Sequence, residues 1–252
     1  MEKNYKNFRI IVADSYEDMG VLAADIITKQ IISKPASVLG LATGSTPIST
    51  YKSLINLHKG GVVSFGDVST FNLDEYHPIR KINNQSYAYY MNEKLFSHID
   101  LLLQNAFIPN GETKDLSKEC LEYEQRIADL GGIDLQILGL GNNGHIGFNE
   151  PADVFPNATH HVALDESTIK ANARFFVDEA DVPKHAITMG IGTIMQSKHI
   201  LVLISGEAKA DIAEKVIFGD ITPKIPGSVL QLHQAVTVIL DMEAGEKVLR
   251  LI

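Results

Sequence analysis

The chain has 252 residues, of which 45% are hydrophobic and 21% are charged, a composition typical of a folded globular protein. The formal net charge of −9 argues against bulk binding to nucleic acid or to an anionic membrane, and the one cysteine, Cys120, excludes an intrachain disulfide and a cysteine-based metal cage. No apolar run approaches the roughly 20 residues of a membrane-spanning helix and the N-terminus has no secretory apolar core, so we expect a cytoplasmic protein without a membrane or nucleic-acid partner.

Apolar runs and capping residues alternate along the chain as strands and helices. In the first half, strands are predicted at residues 8–13, 37–41 and 68–73, and helices at residues 16–30, 47–60, 87–98 and 116–130. Asp14 or Ser15 is the predicted N-cap of the first helix; Thr46 is that of the second, with Pro47 as its first residue. In the second half, strands are predicted at residues 133–140, 159–164 (an edge strand), 186–189, 200–205 and 235–241. Helices are predicted at residues 167–176, 206–218 and 243–251, and a short helix is predicted between residues 189 and 200.

The predicted strands are continuous apolar runs rather than alternating ones, and helices separate them. This combination is typical of a mainly parallel sheet covered by helices on both faces. No internal repeat, low-complexity segment or Pro/Gly/Ser-rich linker divides the sequence. We therefore predict an α/β fold, a doubly wound Rossmann-like sheet, in a single domain that spans residues 1–252.

A polar loop follows the second predicted strand, at residues 43–46. Doubly wound sheets bind ligands beyond the carboxyl ends of their strands. Gly44, Ser45 and Thr46 offer backbone N–H groups and hydroxyls at the start of a helix, which suits a phosphate group. A capped helix start has the same appearance, so the loop alone leaves both interpretations open. The sequence has neither the Walker spacing nor G-x-G-x-x-G, so a nucleotide site is not indicated.

A glycine-rich stretch, LGLGNNGHIGFNEP at residues 138–151, follows the strand predicted at 133–140. Its four glycines allow positive φ angles and a close approach of the backbone to a ligand. His145 is the one side chain in it that titrates near neutral pH, and Glu150, five residues later, could orient that imidazole for acid–base chemistry. A tight turn with a surface histidine is the alternative.

Four further residues carry charge where chemistry is expected. Asp74 and Glu75 are adjacent carboxylates at the end of the strand predicted at 68–73, and either a general base or an exposed acidic loop fits them. Lys209 lies in the first turn of a predicted helix, where the helix dipole disfavours a cation. Arg174 could bind a phosphate with two hydrogen bonds or lie on a solvated helix face. We expect no metal site, because the adjacent His160 and His161 cannot both face one point on a strand.

Taken together, these motifs resemble the glucosamine-6-phosphate deaminase family. The FNLDEY and GNNGHIGFNEP motifs are specific in combination, and the matching segments follow one another in order through nearly the whole chain: LGLATGSTPISTY (39–51), VSFGDVSTFNLDEY (63–76), SYAYYM (86–91), LGLGNNGHIGFNEP (138–151), NARFF (172–176), VPKHAITMGIGTIM (182–195) and LQLH (230–233). The resemblance implies an aldose–ketose isomerase/deaminase that hydrolyses a C–N bond, converting glucosamine 6-phosphate and water to fructose 6-phosphate and ammonia without a cofactor or metal.

The resemblance also implies roles for individual residues. Asp74 corresponds to the base that moves the C2 proton, His145 to the group that shuttles a proton during ring opening, and Glu150 to its orienting carboxylate. Asn143 falls where some members carry Asp, and an amide holds no charge, so support for an imidazolium would come mainly from Glu150. The phosphate-binding set corresponds to Gly44, Ser45, Thr46, Arg174 and Lys209, and residues 164–182 correspond to a mobile lid.

Two alternatives remain beside this interpretation. The nearer one is another sugar-phosphate enzyme of the same fold, such as a 6-phosphogluconolactonase-like hydrolase or a pentose-phosphate isomerase. The more distant one is the sugar-phosphate-sensing module of a transcription regulator, which we disfavour because the chain is acidic and has no room for a DNA-binding segment before Phe8.

The sequence also bears on assembly and regulation. Hexameric members of the family are activated by N-acetylglucosamine 6-phosphate, bound through basic residues after the FNEP motif and a tyrosine near a longer C-terminus. Here the segment after Pro151, ADVFPNATHHVAL, contains no Arg or Lys, and we expect no tail beyond Ile252 to carry such a tyrosine. We therefore predict a monomer or small homo-oligomer without activation by that compound.

Overall fold

The computed structural model describes residues 1–165, 169 and 182–252. Within this part of the chain, an eight-stranded sheet is parallel throughout except at one edge, where the first two strands pair antiparallel. In spatial order its strands are β1 (Glu2–Tyr5), β2 (Phe8–Val12), β11 (Val236–Leu240), β10 (His199–Ile204), β7 (Leu135–Gly139), β3 (Val38–Leu41), β4 (Ser69–Asn72) and β6 (Ala106–Phe107). The predicted α/β fold with a mainly parallel sheet is confirmed.

The helices lie in the connections between these strands: α1 (Tyr16–Ser33), α2 (Ile48–Lys59), α3 (Tyr87–Lys94), α4 (Leu116–Asp129), α5 (Ile191–Met195), α6 (Ala210–Phe218) and α7 (Met242–Leu249). Ser15 caps α1 by accepting the Asp18 N–H, as predicted. Parallel crossovers are right-handed, so connections that run in opposite directions along the sheet place their helices on opposite faces. Helices α1 and α2 accordingly pack on each other on one face, and α6 packs on α7 on the other.

Two predicted strands belong to a second sheet rather than to the main one. This smaller antiparallel sheet has the order β5 (Asp74–His77), β9 (His185–Thr188) and β8 (His160–Ala163). The chain passes from β4 into β5 through Leu73, whose N–H donates to Leu41 and whose carbonyl accepts from Met189. The small sheet therefore lies just beyond the carboxyl ends of β3 and β4.

The centre of the main sheet contains the point at which the chain changes direction. From β3 it continues to β4 on one side, whereas from β7 it continues to β10 on the other. Strand β3 is wholly buried, and Gly40 within it lies so close to β7 that an added Cβ would meet Gln136 Oε1 at 2.0 Å. Such a reversal of strand order opens a crevice at the carboxyl ends, and the loops after β3 and β7 form its walls.

None of the described helices is both long and apolar enough to cross a membrane. The predicted helix at 167–176 and the lid expected at 164–182 lie largely outside the described residues.

Candidate active site

The loop after β3, residues 42–47, leads into α2 with exposed backbone donors. Gly44 has a φ of 89°, a conformation that glycine adopts without strain. The structure corrects the predicted cap, because Pro47 and not Thr46 is the N-cap of α2; Pro47 offers no side-chain cap, and the Ser49 N–H of the first turn donates to Tyr16 Oη instead. Within the described part of the chain, the N–H groups of residues 43–46 donate to no protein acceptor. Such a run of loop N–H groups beside the start of a helix is suited to an anion.

Lys209 approaches the same crevice from the far side of β7. It lies at the end of a 3-10 turn, Glu207–Lys209, and is the N-cap of α6, rather than a residue of a helix starting at 206 as predicted. Its Nζ donates to the carbonyl of Leu140, the first residue after β7, at 2.6 Å. Asp241 holds the turn in place by accepting from the Gly206 N–H and from Ser205 Oγ. Lys209 is thus held at the mouth of the glycine-rich loop.

The glycine-rich loop, residues 138–151, is folded tightly around His145. The imidazole lies against Gly141, where an added Cβ would meet His145 Nε2 at 2.3 Å. Gly141 N–H donates to the carbonyl of His145, and Gly144 continues the turn with a φ of 86°. The glycines therefore let the backbone pack closely against the His145 imidazole, which remains partly exposed. The loop is not an ordinary turn with a surface histidine, the alternative stated from the sequence.

Glu150 and Asn143 converge on His145. Glu150 Oε2 lies 3.2 Å from His145 Nδ1, although the ring is not aligned for a hydrogen bond. Asn143 Nδ2 donates to the same carboxylate oxygen at 2.7 Å, and its Oδ1 accepts the His145 N–H at 3.1 Å. Asn143 thus connects the backbone of the histidine to the carboxylate, and it holds Glu150 where an imidazolium would be stabilised.

Asp74 is the first residue of β5 and lies beside the glycine-rich loop. A Cβ added at Gly147 would lie 3.6 Å from Asp74 Oδ2 and 2.8 Å from Thr188 Oγ1. The Asp74 side chain is 7% exposed, and burial, with a smaller contribution from the negative charge of Glu75, raises its pKa to about 8. Within the described residues no donor is hydrogen-bonded to its carboxylate, so Asp74 is a buried acid that the protein does not engage in a structural hydrogen bond there.

Glu75 has a different environment from its neighbour. Its Oε1 accepts the N–H groups of Tyr76 and Tyr87, and its Oε2 accepts that of Ala88, each at 2.9 Å. Two of these donors belong to the first turn of α3, so Glu75 satisfies the start of that helix. Burial raises the pKa of Glu75 to about 7, against the lowering effect of the three N–H groups. Glu75 is therefore engaged in structure, and the structure distinguishes the two adjacent carboxylates.

Other candidate residues fall outside this arrangement. Arg174 lies outside the described residues, so its position relative to the loop is not described. His160 and His161 lie on β8, and His161 stacks on His185 with ring centroids 4.8 Å apart. In the described ranges, no group of three or more His, Cys, Asp or Glu residues is arranged to hold a metal ion.

Two residues that shape the site, Thr188 and Asn149, were not among the predicted site residues. Thr188 pairs with Asp74 across the small sheet, and its Oγ1 accepts the Phe148 N–H at 3.0 Å. Asn149 is buried and donates to the carbonyls of Ile146 and Met189, joining the glycine-rich loop to β9. Both residues lie in segments that resemble the family, but the contacts Thr188–Phe148 and Asn149–Met189 join positions 40 residues apart and are not indicated by any local pattern.

A cavity of 370 Å³ opens between the loop after β3 and the start of α3, within the usual size range of ligand pockets, about 300–1,000 Å³. It is lined by Gly44, Ser45, Ile48, Tyr76, Asn84, Gln85, Ser86, Tyr87, Tyr90 and Lys94. The cavity thus borders Gly44 and Ser45 of the loop, whereas Asp74, His145 and Lys209 are not among its lining residues.

Comparison with known proteins gives a consistent result. A family described as glucosamine-6-phosphate isomerases/6-phosphogluconolactonase matches residues 13–239. The chain is 52% identical over 239 residues to a glucosamine-6-phosphate deaminase of Clostridioides difficile, covering 95% of this chain and 96% of that protein. It is 53% identical over 235 residues to the protein of the same name from Lachnoclostridium phytofermentans, covering 93% of this chain and all of that one.

Solved structures show the same relationship. A monomeric glucosamine-6-phosphate deaminase superimposes with a TM-score of 0.92 at 48% identity, covering 94% of this chain and 99% of that one. A 6-phosphogluconolactonase from Thermotoga maritima has a TM-score of 0.70 at 19% identity, covering 93% of this chain and 98% of the other, and shares the fold alone. On this basis the chain belongs to the glucosamine-6-phosphate isomerase/6-phosphogluconolactonase family.

Proposed function

We propose that the protein is a glucosamine-6-phosphate deaminase, which converts glucosamine 6-phosphate and water to fructose 6-phosphate and ammonia. About half of its residues are identical, over nearly the full chain, to those of proteins with that name. The reaction needs an acid–base group for ring opening, a base at C2 and an anchor for the phosphate. Each requirement has a counterpart at the carboxyl edge of the sheet.

Ring opening moves a proton from O1 of the sugar and delivers one to O5. An imidazole suits this exchange, because it accepts and donates a proton near neutral pH. His145 takes this role, with Glu150 3.2 Å from its Nδ1 to stabilise the charged form. Asn143 contributes by holding Glu150 in position through a 2.7 Å hydrogen bond. The role of Asn143 is therefore to position a charged group, which does not require that Asn143 itself be charged.

Proton transfer from C2 to C1 follows ring opening. Asp74 removes the C2 proton to give an enolamine and returns it at C1, which leaves an imine at C2. Water then adds to C2 and ammonia departs. A carboxylate with a pKa raised to about 8 is a stronger base than an exposed one and is suited to removing a proton from carbon near neutral pH.

The phosphate supplies binding energy away from the reacting carbons. Gly44, Ser45 and Thr46 offer free backbone N–H groups, and Lys209 supplies positive charge from across β7. We include Arg174 in this set because it lies in the NARFF motif, which resembles the family. Energy from such a remote group holds the sugar in a reactive position, so it contributes to kcat as well as to KM.

One observation carries the proposal most directly: Asp74 is buried and, within the described residues, not engaged in a structural hydrogen bond, whereas its neighbour Glu75 is fully used in starting α3. A lactone hydrolysis would need no base placed for a C2 proton. The experiment is to incubate the purified protein with glucosamine 6-phosphate and to measure ammonia and fructose 6-phosphate. Equimolar release of both supports the proposal; hydrolysis of 6-phosphogluconolactone without ammonia release would replace it with the rival function.

We further infer a monomer or small homo-oligomer with simple kinetics. The segment that follows the glycine-rich loop has no Arg or Lys for a second phosphate site. A solved deaminase with 48% identity is described as monomeric. The molar mass measured by light scattering during size-exclusion chromatography would test this inference, and a stable hexamer would contradict it.

A further inference from the structure

Three tyrosine hydroxyls donate to backbone carbonyls of the loop after β3. Tyr51 Oη lies 2.6 Å from the carbonyl oxygen of Ala42. Tyr90 Oη lies 2.5 Å from that of Gly44, and Tyr16 Oη lies 2.7 Å from that of Ser45. The tyrosines come from three helices, α2, α3 and α1, so their convergence on one six-residue loop is a property of the tertiary structure.

These contacts decide where the N–H groups of the loop point. In a planar trans peptide unit, the C=O and N–H bonds point in opposite directions. A carbonyl fixed on a tyrosine hydroxyl therefore directs the next residue's N–H away from that tyrosine. The three hydroxyls act in this way on the N–H groups of Thr43, Ser45 and Thr46. Across residues 1–165, 169 and 182–252, no protein acceptor takes these three N–H groups.

The surrounding structure supports a fixed arrangement. Tyr16 Oη also accepts the N–H of Ser49, which ties the loop to the first turn of α2. Helices α1 and α2 approach so closely at Gly20 that an added Cβ would meet Ser49 Oγ at 2.4 Å. Burial raises the pKa of Tyr51 and Tyr90, so both hydroxyls stay protonated and act as donors.

We infer that Tyr16, Tyr51 and Tyr90 are positioning residues for the phosphate group of the substrate: they hold the loop so that its N–H groups point together at a phosphate monoester. The inference rests on the proposed function, because it requires the loop after β3 to be the phosphate site. It predicts that removing one hydroxyl weakens phosphate binding, because the loop carbonyl is then no longer held and the following N–H loses its fixed direction.

The experiment compares Tyr90→Phe and Tyr16→Phe with the parent protein, and it uses Tyr89→Phe as the matched control. Tyr89 is next to Tyr90 on α3, is 38% exposed and makes no described contact with the loop. The readouts are the inhibition constant of inorganic phosphate, the KM for glucosamine 6-phosphate and the thermal midpoint. We expect the inhibition constant to rise about fivefold in each loop variant, which corresponds to the net contribution of one hydrogen bond, about 1 kcal/mol.

The result that supports the inference is a parallel rise in KM and in the inhibition constant for both loop variants, with Tyr89→Phe like the parent. Unchanged phosphate inhibition in both loop variants overturns it, as does a fall in kcat alone. The variant Lys209→Ala distinguishes a failure of this inference from a failure of the proposed phosphate site. If Lys209→Ala weakens phosphate binding and the tyrosine variants do not, the inference fails alone; if none of the three changes phosphate binding, the proposed phosphate site fails with it.

Discussion

Replacing Asp74 with Asn should abolish activity and stabilise the protein at the same time. Asn has nearly the same shape as Asp, so the packing around β5 is retained and the carboxylate is lost. Without a base at C2, kcat should fall by about 100- to 10,000-fold, the usual contribution of general acid–base catalysis. Binding of the product fructose 6-phosphate should persist, because the phosphate site is unchanged.

The stability effect follows from the pKa of Asp74, which burial raises from 3.8 to about 8 in the folded protein. Each pH unit between these values corresponds to about 1.4 kcal/mol, so the ionised side chain costs the native state on the order of 5 kcal/mol at high pH. The native state binds the proton more tightly than the unfolded state does. The contribution of Asp74 to the free energy of unfolding is therefore most favourable below pH 3.8 and falls as the pH rises towards 8.

Urea unfolding of the parent and of Asp74→Asn across this pH range would measure the effect. The gain in unfolding free energy should grow from about 1–2 kcal/mol near pH 5 to about 5 kcal/mol near pH 8.5. Asp67→Asn is a suitable control, since Asp67 is exposed and should show no such trend. A gain that does not change with pH, or a loss at pH 8.5, would refute the reasoning about burial. Exchange of the C2 hydrogen with solvent at the parental rate would refute the catalytic role.

The remaining predictions concern the neighbours of Asp74 and the phosphate. Glu75→Gln should move the rise of kcat/KM to lower pH, since a negative neighbour no longer raises the pKa of Asp74. His145→Gln should reduce turnover of the cyclic substrate more than that of an open-chain form, and equal losses would assign His145 another role. Lys209→Ala or Arg174→Ala should raise KM and lower kcat, and unphosphorylated glucosamine should be a very poor substrate; a parental KM would exclude the residue from the phosphate site. Rates should depend hyperbolically on substrate, and sigmoidal curves that N-acetylglucosamine 6-phosphate straightens would contradict the absence of a second site.

Local patterns in the sequence were sufficient for most of the fold. Strand β3 and helix α4 match their predictions to within a residue or two, because continuous apolar runs and capped helical periodicity are short-range signals. The spacing of His145 and Glu150 likewise indicated a pair, and the folded loop brings them within 3.2 Å. Thr46 was the wrong cap: Pro47 is the N-cap, and the Ser49 N–H in the first turn of α2 donates to Tyr16 of α1, a contact between distant residues.

The sequence by itself determined the fold class and the position of the glycine-rich loop, because both depend on residues close together in the chain. Residue type and spacing could not separate Asp74 from Glu75, which have the same chemistry and adjacent positions; the family resemblance alone chose Asp74. That difference comes from α3, whose first N–H groups belong to residues 12 and 13 positions after Glu75. The second sheet and the tyrosines around Gly44 likewise depend on contacts between distant segments. Such contacts form only when helices and strands pack, since burial and hydrogen-bond geometry are properties of the assembled structure and not of any one segment.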